Sequence, residues 1–280
     1  MSLGIAFKGA EGVVLAADSR VTLTTMTAGP MGAVAIPSTF DNATKLLRVT
    51  GQNFVGAVTY GRGALGDKQP RTAHSFMPEF EGELSKKTGD KRLSVESFAN
   101  ELSDFFLGQW KQQNMPLPAP PGSDMVFLVG GYDEGDPYGR VFEIFIPSAT
   151  KPVERHAGEF GMVWGGQREY MDRLVAGFDP RLAGIAQQFL KLTDDQRNAL
   201  DAHLKAQLQA PIPFQFLPLQ DCIDLSIMLI RTTITIQTFL IGVRGVGGEI
   251  DLATITRTAG LKPIQLKALT GEVGRIGGTL

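Results

Sequence analysis

Ser2, Asp18 and Lys45 are the residues whose types and positions indicate chemistry. A serine at the start of a mature chain carries a hydroxyl nucleophile and an α-amine that can act as its base, because a free α-amine has a pKa of ~7.7–8.0. A lysine close to that amine lowers the amine's pKa by like-charge repulsion, and an aspartate beside the lysine keeps it charged and oriented. If Met1 is removed, these three residues predict N-terminal-nucleophile catalysis.

Taken one at a time, the three residues also have ordinary structural explanations. Serine is common after an initiator methionine, Asp18 ends a predicted strand where a carboxylate can cap a turn, and Lys45 begins another strand where a lysine is usually solvated. Their joint occurrence favours the catalytic interpretation. Such a site also needs backbone N–H donors for the oxyanion, and we expect them from Tyr60 or Gly61, at a turn between a strand and a helix.

The elements that must position these residues are two predicted β-hairpins. Apolar β-rich runs over 3–7 and 13–18 flank a glycine-containing turn and predict the first hairpin. Runs over 45–49 and 54–60 predict the second. The Thr-, Gly- and Pro-rich stretch over 19–42 has little periodicity and indicates a long loop or an irregular strand pair.

The rest of the chain predicts an α+β fold in one domain, because runs of strands and runs of helices follow one another without a linker. This domain covers 1–258, with a helical insertion over about 181–216 and a C-terminal tail over 259–280. Further predicted helices cover 63–88, 94–114, 169–176, 181–192, 194–209 and 219–239, and further strands cover 125–132, 140–146, 160–165 and 251–257.

Composition narrows the function classes. The net charge of −2 over 280 residues gives no reason to expect nucleic acid or an anionic membrane as a partner. The single cysteine, Cys222, suits a reducing compartment, and no secretory signal is evident, so we expect a cytoplasmic protein. His74, His156 and His203 lie far apart without ligand spacing, so we expect no metal and no cofactor.

Residues 2–20, with the run GVVLAADSR, resemble the first two strands of proteasome β-type subunits, including HslV and the Anbu-like bacterial homologues. In that family the mature chain begins with a catalytic threonine, or with serine in some bacterial homologues. With Ser2 in that place, Asp18 falls on the family's aspartate without a gap, and Lys45 lies in the family lysine's context. Gly165 and the later glycine-rich turn 245–248 are also similar.

The resemblance implies a fold, an assembly and a substrate. The fold would be a four-layer αββα sandwich, and the protein a threonine-protease-type peptidase that uses Ser2. Copies of the chain would form a ring or double ring that encloses the active sites, with peptide or unfolded protein as substrate and an ATPase unfoldase as partner. By the same resemblance, Val21 and Val58 would line the first specificity pocket.

The sequence departs from the family at the accessory residues. The serine usually found after the glycine near Gly165 is replaced by Gly166 and Gln167, and the late aspartate and serine that assist the α-amine are not evident over 243–246. These departures leave two alternatives open: an amidase or acylase for small molecules, and a catalytically silent ring subunit that retains Met1.

Overall fold

Two antiparallel sheets form the centre of the molecule. The computed structural model describes residues 2–29, 32–66, 69–89 and 91–271. The strands are β1 Leu3–Lys8, β2 Val13–Asp18, β3 Val21–Gly29, β4 Gly32–Phe40, β5 Leu46–Leu47, β6 Val55–Gly61, β7 Met125–Gly131, β8 Arg140–Ile146, β9 Ala149–Arg155, β10 Gly161–Gly166, β11 Ile250–Thr256 and β12 Gly260–Gln265. The first sheet has the order β10-β1-β2-β11-β12, the second has the order β5-β6-β7-β8-β9, and β3 and β4 pair with each other.

Strands β1 and β2 are buried along their whole length. They pair as the predicted hairpin, with Ile5 opposite Ala16. Their sequences are continuous apolar runs, as expected for strands with both faces covered. The second predicted hairpin is formed by β5 and β6, with Leu46 opposite Val58. The stretch over 19–42 is the strand pair β3–β4, one of the two predicted alternatives.

The helices are α1 Met77–Thr88, α2 Val95–Gln112, α3 Glu169–Ala176, α4 Leu182–Leu190, α5 Asp194–Leu208 and α6 Leu219–Thr238. Ser94 caps α2, because its hydroxyl accepts a hydrogen bond from the N–H of Ser97. The helix predicted from residue 63 is wrong over its first part. Leu65 and Arg71 form an antiparallel bridge there with hydrogen bonds of 2.9 and 2.8 Å, which a helical backbone cannot make.

Three apolar clusters connect these elements. One lies between the two sheets and includes Leu15 and Leu128. A second joins α1 and α2 to the second sheet through Phe106 and Phe127, whose ring centroids are 4.5 Å apart. The third joins α3 and α6 to the first sheet. The predicted combination of helices with antiparallel sheets is therefore confirmed.

Two predictions about the chain's strands need correction. The tail predicted from residue 259 contributes β12, which pairs with β11, so the first sheet continues beyond residue 258. Strand β9 was not predicted and pairs with β8. In the part of the chain that the structure describes, no helix combines the length and the apolarity needed to cross a lipid bilayer.

Candidate active site

Ser2 lies immediately before β1 and is buried, with 2% of its surface exposed. Strand β1 pairs with β10 so that Leu3 is opposite Gly166. The carbonyl oxygen of Ser2 accepts a hydrogen bond of 2.9 Å from the N–H of Gln167. Ser2 is therefore held at the end of a central strand. Met1, on whose removal its predicted chemistry depends, lies outside the described residues.

Gly166 explains one departure from the family pattern. Its φ is +98°, and a Cβ at this position would lie 1.8 Å from the carbonyl oxygen of Ser2. A left-handed conformation and such close backbone contact both require glycine. A serine side chain therefore cannot occupy position 166 while Ser2 keeps its place.

Asp18 and Lys45 form a buried ion pair. Lys45 Nζ is 2.5 Å from Asp18 Oδ1, and the two side chains are 6% and 0% exposed. The Asp18 carboxylate also accepts backbone N–H bonds from Leu3 at 2.9 Å, Arg20 at 3.1 Å and Gly247 at 3.0 Å. Four donors from separate segments hold the carboxylate in one orientation, and the carboxylate in turn directs the lysine.

The ammonium of Lys45 is electrostatically strained. Burial lowers its pKa below the ordinary lysine value, and the positive charges of Lys267 and Arg20 add to the lowering, whereas the Asp18 carboxylate opposes it. A lysine in this state loses its proton at a lower pH than a solvated lysine does.

A small pocket brings most of the predicted residues together. Its volume is about 10 Å³, enough for about one water molecule, and Ser2, Lys45, Tyr60 and Val21 line it. Asp18 does not line this pocket, but it forms the ion pair with Lys45, which does. Val58, which was predicted to line the specificity pocket, instead lies fully buried in the core between the sheets, so that part of the prediction is corrected.

A larger cavity of about 430 Å³ adjoins the small pocket and shares Thr44 with it. It runs beside β5 and is bordered by α1 and by residues of β12. Arg48, His74 and Glu81 contribute its charged and titratable groups.

Strand geometry separates the two predicted oxyanion donors. The N–H of Thr59 donates to the carbonyl oxygen of Lys45 at 3.1 Å, so it is directed towards β5. Successive N–H groups of a strand point in opposite directions, so the N–H of Tyr60 is directed towards β7 and that of Gly61 towards the β5 side. The β5 side holds Lys45, so Gly61 is the better placed donor.

The side chain of Tyr60 has a structural role. Its hydroxyl donates a hydrogen bond of 2.7 Å to Glu143 Oε1. Burial, the nearby carboxylate and this hydrogen bond raise the pKa of the phenol above its ordinary value. The hydroxyl therefore stays protonated and is no candidate for the base.

Sequence reasoning missed an ion pair that packs against the site. Arg20 Nε and Nη2 donate to the two carboxylate oxygens of Asp41 at 2.5 and 2.7 Å. A Cβ on Gly247 would lie 2.5 Å from the Arg20 guanidinium carbon, so a larger residue there would require the Arg20 side chain to shift away from the loop whose N–H donates to Asp18. In the sequence, the glycine-rich turn over 245–248 indicates only a connection between a helix and a strand, so nothing in it points to this contact.

The two packed sheets and their helices form a fold that is also found among solved structures, at low sequence identity. The similar structures are Anbu proteins. A Gly-1 mutant of Anbu from Hyphomicrobium sp. strain MC1 is 17% identical, with a TM-score of 0.54, over 99% of this chain and 91% of that one. Anbu (ancestral beta-subunit) from Yersinia bercovieri is 13% identical, with a TM-score of 0.51, over 94% and 86% of the respective chains.

These structures confirm the predicted Anbu-like, proteasome-type resemblance at the level of fold. No protein-family model and no curated protein matches the sequence.

Proposed function

We propose that this chain is an N-terminal-nucleophile hydrolase that cleaves peptide bonds, with Ser2 as nucleophile after removal of Met1. The observation that carries the proposal is the buried Lys45–Asp18 pair, at 2.5 Å, in which the lysine lines the same pocket as Ser2. A buried ion pair of this kind is costly to desolvate and is a candidate functional feature when it lies beside a nucleophile.

In the proposed mechanism, the α-amine of Ser2 takes the hydroxyl proton while Oγ attacks the scissile carbonyl carbon. Lys45, held by Asp18, keeps the amine neutral by like-charge repulsion and stabilises the developing negative charge. The N–H of Gly61 binds the oxyanion. The C–N bond then breaks, the amine gives its proton to the leaving amino group, and water hydrolyses the resulting ester through the same base.

The proposal extends to architecture and assembly. The finer fold is a four-layer αββα sandwich, with copies of the chain in a ring or double ring, peptide or unfolded protein as substrate and an ATPase unfoldase as partner. Exposed apolar side chains on α4 and after α6, among them Phe189, Phe239 and Ile241, support contact between copies. Light scattering should give a multiple of 30.2 kDa, and a monomer at all concentrations would contradict the assembly. The cytoplasmic location stays a prediction.

The decisive experiment is intact mass spectrometry with and without a fluorophosphonate probe. We expect the native mass to lack one methionine residue and the probe to add one phosphonyl group at Ser2. Ser2→Ala should abolish both labelling and peptide hydrolysis, whereas Ser2→Thr, which keeps a hydroxyl at the same place, should retain them.

The same experiment tests the alternatives. A retained Met1 with no labelling would support a silent ring subunit. Labelling accompanied by hydrolysis of small acyl amides, but not of fluorogenic peptides, would support an amidase.

A further inference from the structure

The peptide group between Ser2 and Leu3 is held from both sides. Its carbonyl oxygen accepts from the N–H of Gln167 at 2.9 Å, and its N–H donates to Asp18 Oδ1 at 2.9 Å. The orientation of this peptide plane determines where the Cα of Ser2 lies, and with it the hydroxyl and the α-amine. The hydrogen-bond partners of the peptide group therefore determine the position of the Ser2 hydroxyl and α-amine.

Two glutamine side chains join these partners to each other. Gln237 Nε2 donates to Gln167 Oε1 at 2.5 Å, and Gln237 Oε1 accepts from the N–H of Val246 at 2.9 Å. The next residue, Gly247, donates its N–H to Asp18 Oδ2 at 3.0 Å. The hydrogen bonds and the short backbone connections between them form a closed path that begins and ends at the Ser2–Leu3 peptide.

The position of Gln237 in this path is well defined. The residue lies on α6 and is 4% exposed. A backbone N–H can only donate, so the contact with Val246 requires the oxygen of the Gln237 amide there and directs its nitrogen to Gln167. Buried amides with both ends bonded are costly to replace, because an apolar side chain leaves the backbone N–H without its acceptor.

We propose that Gln167 and Gln237 are positioning residues for Ser2, in place of the accessory serine and aspartate that the family resemblance leads one to expect. The inference rests on the proposed function of Ser2. Both amides are neutral, so they hold Ser2 without adding a charge beside its amine. Lys45 is then the residue that sets the charge state of the amine.

The test uses the full chain and the rate at which a fluorophosphonate labels Ser2, measured against pH by intact mass. In this reaction the Oγ–P bond forms, the P–F bond breaks, fluoride leaves, and the hydroxyl proton passes to the amine. Gln237→Leu removes both side-chain hydrogen bonds. Gln220→Leu is the matched control, because Gln220 lies exposed on the same helix.

We expect Gln237→Leu to label Ser2 roughly 10-fold more slowly, because a misaimed nucleophile loses rate without losing its chemistry, and Gln220→Leu to label at the native rate. Gln237→Glu keeps the acceptor for Val246 and adds a negative charge to the hydrogen-bonded path that leads to Ser2. That charge stabilises the protonated amine, so the acidic limb of the pH profile should move up by about half a unit.

The outcomes separate the two proposals. Failure of the native chain to label at Ser2 overturns both the proposed function and this positioning role. Native labelling, combined with unchanged rates and pH profiles in folded Gln237→Leu and Gln237→Glu, overturns only the positioning role. If Gln237→Leu does not fold, Gln237→Glu decides the question by its pH profile.

Discussion

Two buried Lys–Asp pairs have their aspartates on neighbouring strands of the first sheet, and the pairs are held in different ways. Asp18 ends β2, and Asp251 on β11 is opposite Ala17 of β2. The side chains of the pair Lys45–Asp18 are 6% and 0% exposed, and those of Lys267–Asp251 are 8% and 3% exposed.

The two pairs differ in which residues donate hydrogen bonds to the carboxylate. Asp18 accepts from four separate residues and directs a lysine that lines the Ser2 pocket. The Asp251 carboxylate accepts the backbone N–H of Lys267 at 2.9 Å and also pairs with the ammonium of that same residue. The first arrangement fixes the geometry of a site, whereas the second fastens the segment after β12 to the sheet.

The comparison predicts its largest effect on activity. Lys45→Met removes the charge beside Ser2 and should reduce kcat/KM for a fluorogenic peptide by roughly 10³-fold. Lys267→Met removes an equally buried charge and should leave kcat/KM within about threefold at neutral pH, since Lys267 does not line the Ser2 pocket. Equal losses in the two variants would show that the pairs have the same role.

The second prediction concerns stability. Lys267→Met leaves Asp251 as a buried, unpaired carboxylate and should lower the free energy of unfolding by about 3 kcal/mol. Urea denaturation followed by fluorescence measures this change. Adding Asp251→Leu removes the stranded charge and should recover most of the loss. A double variant as unstable as Lys267→Met alone would contradict the anchoring role.

The parts of the fold that could be predicted are those that residues close together in the sequence determine. The apolar runs of β1 and β2 and the cap at Ser94 follow from neighbouring residues. The missed strands β9 and β12 lie at sheet edges and contain Pro152 and Pro263, which weaken a strand pattern and are tolerated only where one side of the strand is unpaired. An edge strand interrupted by proline in this way can be recognised only when its partner strand is known.

The candidate site likewise has residues that the sequence predicts and contacts that it does not. Ser2, Asp18 and Lys45 were predicted from their order along the chain and from family context. The contact from Gly247 to Asp18 joins residues 229 positions apart, and the one from Gln237 to Gln167 spans 70. Neither contact has a sequence signal, because glycine and glutamine at those positions also suit an ordinary turn and an ordinary helix surface.

A third prediction tests how closely the first pair depends on the position of Ser2. Gly166→Ala should lower kcat roughly 10-fold or more, because its Cβ displaces the Ser2 carbonyl away from the Asp18–Lys45 pair. Gly135→Ala is the control, since Gly135 also has a positive φ, +85°, but open space around its Cβ position. It carries the conformational cost alone, about 1 kcal/mol in stability, with no loss of kcat. Equal kcat values in the two variants would show that the close contact at Gly166 does not determine the position of Ser2.

The smallest predicted effect connects the two pairs. The rate should fall as pH rises through the pKa of Lys45, because the positive charge near Ser2 is then lost. The charge of Lys267 contributes to lowering that pKa. Lys267→Met removes this contribution, and its loss raises the pKa of Lys45. The alkaline limb of kcat should therefore move to higher pH, by about half a unit.

Lys262→Met provides the control for this shift, because Lys262 is an exposed lysine on the neighbouring strand β12. It removes the same formal charge where water screens it, so the alkaline limb should stay in place. A shift of equal size in both variants would assign the effect to overall charge. A downward shift in Lys267→Met would mean that the ammonium groups of Lys267 and Lys45 do not repel each other. The pair Lys267–Asp251 would then serve only as an anchor.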